Sequence, residues 1–254
     1  MRSRDVQACL RAGITSRATT VGPFLVLIND SSDNPFLNYA VPVDGAAPTA
    51  ADVAVLITHF TDRARLPRLE YVRPSPPVDD ALHTAGFDVD ATLTLMALDQ
   101  FTDTVDAPGY RVSLVTDDAS LRQAVATQNT VYGESGEPDP SGLLRFVRTG
   151  GCVALAVEEG TGAPAGAGLY TPEQGGLVEI AGIGVLPEHR RRSVGRLVTQ
   201  ALTAEALRRG YRPFLQVQRD EPARLYQRIG YRMIGEMADA RPRVSPGQQA
   251  ARVG

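Results

Sequence analysis

The stretch Val178–Leu202, VEIAGIGVLPEHRRRSVGRLVTQAL, decides how the rest of the chain is read. Its opening belongs to an apolar run, Leu177–Val185, introduced by Gly175-Gly176 and ended by Pro187, which predicts a strand. Val194, Leu197, Val198, Ala201 and Leu202 then fall at helical spacing, so an amphipathic helix is expected from Arg192 to about Arg209, closed by Gly210. Between strand and helix lies a short loop carrying Arg190, Arg191 and Arg192, with Arg196 one turn further on. Free backbone amides, the positive end of a helix dipole and arginine side chains together favour an anion, and a pyrophosphate fits the description. An arginine run by itself reads equally well as a solvated face; the flanking strand and helix favour the anion site.

Working outward, Cys152–Val157 and Ala165–Tyr170 read as strands joined by a turn-rich GTGAPAG, and with Leu177–Val185 they make an antiparallel meander. Before them stand a strand at Val112–Val115, a helix capped by Thr116 or Asp117 and running to about Val131, and a short helix near Ser141–Thr149. After them come a strand at Phe214–Val217, a short helix from Pro222 to Arg228, and a last strand, Tyr231–Met237, entered through Gly230. The polar segment Phe101–Gly109 is read as a domain boundary, giving domains 1–107 and 109–242 and a loose tail, 243–254.

Composition removes several classes. All 26 basic residues are arginine, so a pyridoxal-phosphate lysine and the lysine of a P-loop are both impossible. A formal charge of -3 gives no general polyanion field, and nucleic acid is not expected as a partner. No apolar run is long enough for a signal-peptide core or a membrane span, so a cytoplasmic location without membrane contact is expected. Cys9 and Cys152 are read as small core residues, and His59, His83 and His189 do not cluster, so no metal is expected. The polar run Asn29–Asn34 lacks the glutamate a calcium loop needs and reads as a turn.

Arg190-Arg191-Arg192-Ser193-Val194-Gly195 resembles the Arg/Gln-x-x-Gly-x-Gly/Ala signature of the GNAT superfamily of N-acetyltransferases, with Ser193 in place of the first glycine. Ala223-Arg224-Leu225-Tyr226-Gln227-Arg228-Ile229-Gly230-Tyr231 is similar to a second family pattern, Ala-x-Leu-Tyr-x-x-x-Gly-Phe, in the right order and at the right separation. The resemblance covers Tyr110–Met237 and implies the α/β (α+β) GNAT fold, a mixed and mostly antiparallel sheet flanked by helices. It also implies acetyl-CoA as co-substrate and direct transfer of an acetyl group to the primary amine of a small molecule or peptide. On this reading Ile183, Gly184 and Val185 pair with the pantetheine arm, and Arg190, Arg191, Arg192, Ser193, Val194, Gly195 and Arg196 cradle the pyrophosphate. A serine with negative φ would keep its amide available and could cap the helix. Tyr226 would stand near the sulfur, able to protonate a thiolate, although it also suits a packing role. The spacing Glu179-Ile180-x-x-x-x-Val185 resembles the histone acetyltransferase branch and makes Glu179 a candidate base; a cross-strand partner explains it as well. Glu134, Glu137 and Asp139 suggest a cationic acceptor. A rival reading, prompted by Ser193 and Arg219, is a protein that holds CoA without turnover.

Residues Phe24–Asp99 read as a reduced copy of the same pattern. A strand at Asn38–Val43, a helix at Ala50–Thr61, a strand at Leu69–Val72, then LHTAGF and a strand at Thr92–Leu98 follow the same order. Leu82 takes the place of Tyr226, and Asp44–Pro48 that of the basic loop, so this half is expected to be a degenerate GNAT-like domain. An unrelated α+β cap is the alternative. A fused repeat can stand in for a dimer, which leaves monomer and homodimer both open.

Overall fold

The computed structural model describes residues 1–30, 32–90, 92–102, 107–218 and 223–243. In chain order these form α1 (Ser3–Thr15), β1 (Thr19–Val21), β2 (Phe24–Leu27), β3 (Tyr39–Pro42), α2 (Ala50–Thr61), β4 (Leu69–Arg73), α3 (Pro76–Thr84), β5 (Phe87–Asp88), β6 (Thr92–Leu98) and β7 (Tyr110–Val115). There follow α4 (Asp118–Tyr132), α5 (Ser141–Arg148), β8 (Cys152–Glu158), β9 (Pro164–Tyr170), β10 (Leu177–Val185), α6 (Val194–Arg208), β11 (Arg212–Gln218), α7 (Arg224–Gln227) and β12 (Tyr231–Pro242).

In the unit formed by Leu95–Ile234, the sheet order is β6-β11-β10-β9-β8-β7. Strands β8, β9 and β10 form the expected antiparallel meander, and β11 joins β10 in parallel after the α6 crossover. Helix α6 covers one face of the sheet and α4 the other. The close seat of α6 follows from the small residues of β9. A Cβ on Gly166 would lie 2.8 Å from Val194 Cγ1, and one on Gly168 would meet Ile183 and Val198, so only glycine admits the helix at that depth. Val198 and Leu202 are thereby fully buried, each stabilising the fold by about 1.5–3 kcal/mol. Helix α4 starts where Asp117 Oδ1 accepts from the Ser120 amide and ends on left-handed Gly133.

The other unit, residues 1–94 with the chain from Gly235, repeats this order: β2 antiparallel to β3, helix α2, then β4 parallel to β3, then α3 and a left-handed Gly86 that matches left-handed Gly230. Leu82, in the position of Tyr226, is fully buried in its core. Two features were not anticipated. Helix α1 buries Val6, Cys9 and Ile14, and β1, paired with β2, stands ahead of the repeat.

The units part within β6 and β12, not in the Phe101–Gly109 segment and not after Pro242. Hydrogen bonding gives the reason. The second half of β12 runs against β4, from Glu236↔Arg73 to Ala240↔Leu69, while β6 lies beside β11. Arg68, wholly buried, fixes the first pairing: Nη2 reaches Glu70 Oε1 at 2.5 Å and Nε reaches Asp239 Oδ1 at 2.7 Å. A buried cation held by two carboxylates makes loss of either partner costly. Residues 103–106, Arg219, Pro222 and the tail beyond Arg243 lie outside the described residues.

Candidate active site

The site begins at a fault in β10. Its register against β9 slips between Ala181 and Gly184, and Gly182 takes φ +60°. A β-bulge of this kind tilts the strand and ends regular pairing. Helix α4 holds the bulge, with Gln128 Nε2 donating to the Gly182 carbonyl at 3.0 Å and the Tyr132 hydroxyl to the Ile183 carbonyl at 3.3 Å. On the other edge, β10 pairs with β11 only from Leu177↔Arg212 to Ile180↔Leu215. Past Ile180 the two strands part, and this opening is flanked by Ile183, Gly184 and Val185. The Ile183 and Val185 carbonyls already accept from Tyr132 and from Arg190 Nε, so the open edge offers mainly amides.

The chain then turns through Pro187–His189. Buried His189 meets Tyr110 edge-on, with ring centroids 5.6 Å apart, and its Nδ1 lies 3.0 Å from the Tyr110 hydroxyl. Arg192 Nη1 donates to the same hydroxyl at 3.2 Å, so one tyrosine of β7 pins both ends of the arginine run. Arg191 and Ser193 both adopt left-handed backbone, at φ +63° and +64°. The sequence expectation for Ser193 is therefore corrected on both counts: φ is positive, and the hydroxyl makes no cap. The serine occupies glycine geometry at the cost of some strain. In return, the first amides of α6 keep neither an intrahelical partner nor a side-chain cap.

Arg196, in the first turn, has a buried Nε with no hydrogen-bond partner, and Arg190 and Arg191 are exposed above it. An orphaned buried donor beside uncapped amides is what an anionic group would complete. A Cβ on Gly195 would already touch Val185 and Leu225, so a large side chain there would fill the cradle. The matching helix of the other unit is closed. The Thr49 hydroxyl and the Asp52 carboxylate satisfy one another's backbone amides at the start of α2, and that hydrogen bonding holds the Asp52 carboxyl below its usual range.

Tyr226 is buried on the α6 side of the sheet, next to Leu225, which lies against the first turn of α6. Glu179 is half-buried and projects to the opposite face, because its neighbours Val178 and Ile180 pack under α6. Its Oε1 accepts from Gln216 Nε2 at 2.9 Å, and its amide donates to Thr171 Oγ1 at 2.9 Å. The two candidates thus lie on opposite faces of the sheet. Sequence reading missed Gln128, Tyr132, Tyr110 and Gln216 as parts of the site. None of them carried a usable signal in the sequence, since Gln216 shares the face of Glu179 only through the parallel register.

Cys152 is a buried core residue, and burial pushes its thiol up to about 11, which argues against a nucleophilic role. Asp139 Oδ1 accepts from the Ser141 amide just ahead of α5, while Glu134 and Glu137 are exposed. Among the described residues no three metal-ligating side chains stand together, and no helix is long and apolar enough to cross a membrane.

Residues 120–231, which contain both the parted strands and the arginine loop, match the family model "Acetyltransferase (GNAT) family". Residues 120–231 are a GNAT acetyltransferase domain. The structure is similar over 96% of its length to a GCN5-related N-acetyltransferase from Kribbella flavida, covering 96% of that chain, with TM-score 0.77 and 22% identity. A GCN5-related N-acetyltransferase from Sphaerobacter thermophilus matches 96% of this chain and 93% of its own, with TM-score 0.67 and 16% identity. A tandem GNAT protein from the clavulanic acid biosynthesis pathway matches 87% and 79%, with TM-score 0.61 and 14% identity. Comparison with the curated proteins finds no match to the chain. The GNAT fold therefore extends beyond the GNAT domain matched by sequence into the first half of the chain, where the strand–helix–strand order is repeated.

Proposed function

We propose that the protein is an acetyl-CoA-dependent N-acetyltransferase that acts on the primary amine of a small molecule or peptide in a ternary complex. The observation that carries this reading is the junction at β10: the strand parts from β11 at a bulge, then runs through two left-handed arginine-loop residues into an uncapped helix. Amides of Ile183 and Val185 line the gap for the pantetheine arm, with Gly184 between them paired to β9, and Arg190–Arg196 face the pyrophosphate. Because the gap passes between strands, a thioester lying in it is reached from both faces of the sheet.

Glu179, on the α4 face, takes the proton from the ammonium group, and the free amine attacks the acetyl carbonyl. As the carbon–sulfur bond breaks, Tyr226, on the α6 side, gives its proton to the thiolate, and the surplus proton shed by the new amide nitrogen restores the phenol. Cytoplasmic action and a single acetyl-CoA per chain belong to the same reading, the second because the Thr49–Asp52 cap fills the equivalent place in the first half.

The test is thiol release from acetyl-CoA with spermidine, kanamycin and an alanyl peptide offered separately. Tyr226→Phe is expected to lower kcat by ~10²-fold with acetyl-CoA binding unchanged. Tight binding with no turnover on any amine, and no effect of Tyr226→Phe, would instead mark a protein that holds CoA without transferring its acetyl group.

A further inference from the structure

Gln216 is the first residue of β11 beyond the last parallel pair, Ile180↔Leu215, so its side chain stands at the apex where β10 and β11 separate. Glu179 is the last residue of β10 on that face that still pairs with β11, and faces Phe214 in the register. The bond from Gln216 Nε2 to Glu179 Oε1 therefore runs diagonally across the apex, at 2.9 Å, from one parting strand to the other. The backbone of Glu179 is fixed separately, by Thr171, whose hydroxyl accepts the Glu179 amide and whose amide donates to the Glu179 carbonyl at 2.9 Å. With the backbone already held from the residue that follows β9, the glutamine bond acts on the carboxylate end of the side chain. Both side chains are half-buried, so the contact is shielded in part from water. A neutral amide can fix the rotamer of a carboxylate through one oxygen, whereas an arginine can take both oxygens in a bidentate pair.

We infer that Gln216 is the positioning residue for the Glu179 carboxylate, holding it at the mouth of the gap in the orientation that receives the amine proton. This rests on the proposed role of Glu179 as base. A diagonal pair that merely tied the two strands together would affect folding and leave turnover of the folded enzyme alone.

The experiment is a double-mutant cycle on the full chain, read by thiol release from acetyl-CoA with the same three amines. It compares Gln216→Met and Gln216→Glu, which keep the length of the side chain and remove the donor, with Glu179→Gln, and each pair combined. Gln216→Met is expected to lower kcat ~10-fold with KM for acetyl-CoA within about two-fold, and to have no further effect once Glu179→Gln is present. Gln216→Glu should be the worse of the two. Full kcat in both Gln216 variants, with Glu179→Gln impaired, would overturn the positioning role and leave Glu179 as base. Losses that multiply in the combined variants would also overturn it, since Gln216 would then act independently of Glu179. An unimpaired Glu179→Gln enzyme, or no turnover by the unaltered protein, would remove the proposed base and this role with it.

Discussion

His189 and Tyr110 lie edge to face, joined through Nδ1 and the phenol oxygen at 3.0 Å, and Arg192 donates to that same oxygen. The arginine loop is therefore fastened to β7, a strand that contributes nothing else to the site. Tyr110→Phe keeps the ring contact and removes both hydrogen bonds. It is expected to weaken acetyl-CoA binding by ~5–10-fold, equivalent to about 1–1.4 kcal/mol, measured by titration calorimetry. Unchanged affinity would show that the loop holds its shape without that anchor.

Ser193 carries the conformation of the glycine it resembles in position, at φ +64°. Ser193→Gly should relieve the strain and raise stability by about 1 kcal/mol in urea denaturation, without weakening acetyl-CoA binding. Ser193→Val, β-branched, should lower stability by more than about 1 kcal/mol and weaken binding. The reverse order in stability would mean that the loop is not left-handed at this residue.

Gly230 takes φ +109°, and a Cβ there would be driven into the Gln100 carbonyl. Gly230→Ala must move the Asp99–Thr102 segment, whose amides at both ends donate to the carbonyls of Gly230 and Ile229. A loss of about 3 kcal/mol or more is expected by urea denaturation, against less than about 1 kcal/mol for Gly160→Ala, where a Cβ meets open space. Equal losses at the two sites would contradict the close approach.

Glu205, buried on α6, accepts from Arg208 and Arg209, and these bonds hold its carboxyl down at about 2 against an ordinary value of 4.5. A depressed carboxyl stabilises the fold above the unfolded-state value and loses that contribution as pH falls. Glu205→Gln should therefore cost about 1 kcal/mol at pH 7, the figure being modest because Arg208 is largely exposed. The gap between the two proteins should close between about pH 4.5 and 2. A pH-independent gap would assign the loss to packing.

Much of this architecture is written in local signals. The helix read at Ala50–Thr61 and the strand read at Leu177–Val185, the latter introduced by Gly175-Gly176 and ended by Pro187, agree with the structure residue for residue. The arginine loop was legible because strand, basic loop and helix follow one another in the chain. Helix α1 was not read, although its buried positions, Val6, Cys9 and Ile14, lie at helical spacing, because it stands ahead of the repeated pattern against which the first half was read. The division within β6 and β12 was hidden for a different reason. Which strand lies beside β4 or β11 is decided by long-range pairing and by the buried Arg68–Asp239 contact, and nothing in the twelve residues of β12 states it. The left-handed backbone of Ser193 and the Gln216–Glu179 bond are likewise properties of the folded junction. The residue types were visible, but the torsion and the register were not.

The central claim is that the β10–α6 junction binds acetyl-CoA, and calorimetric titration of acetyl-CoA into the purified chain tests it most directly. The account predicts micromolar binding at one site per chain, abolished by Gly195→Glu, which fills the cradle, and weakened at least ~10-fold by Arg191→Ala. Absence of binding, two equivalent sites, or affinity untouched by both substitutions would contradict it.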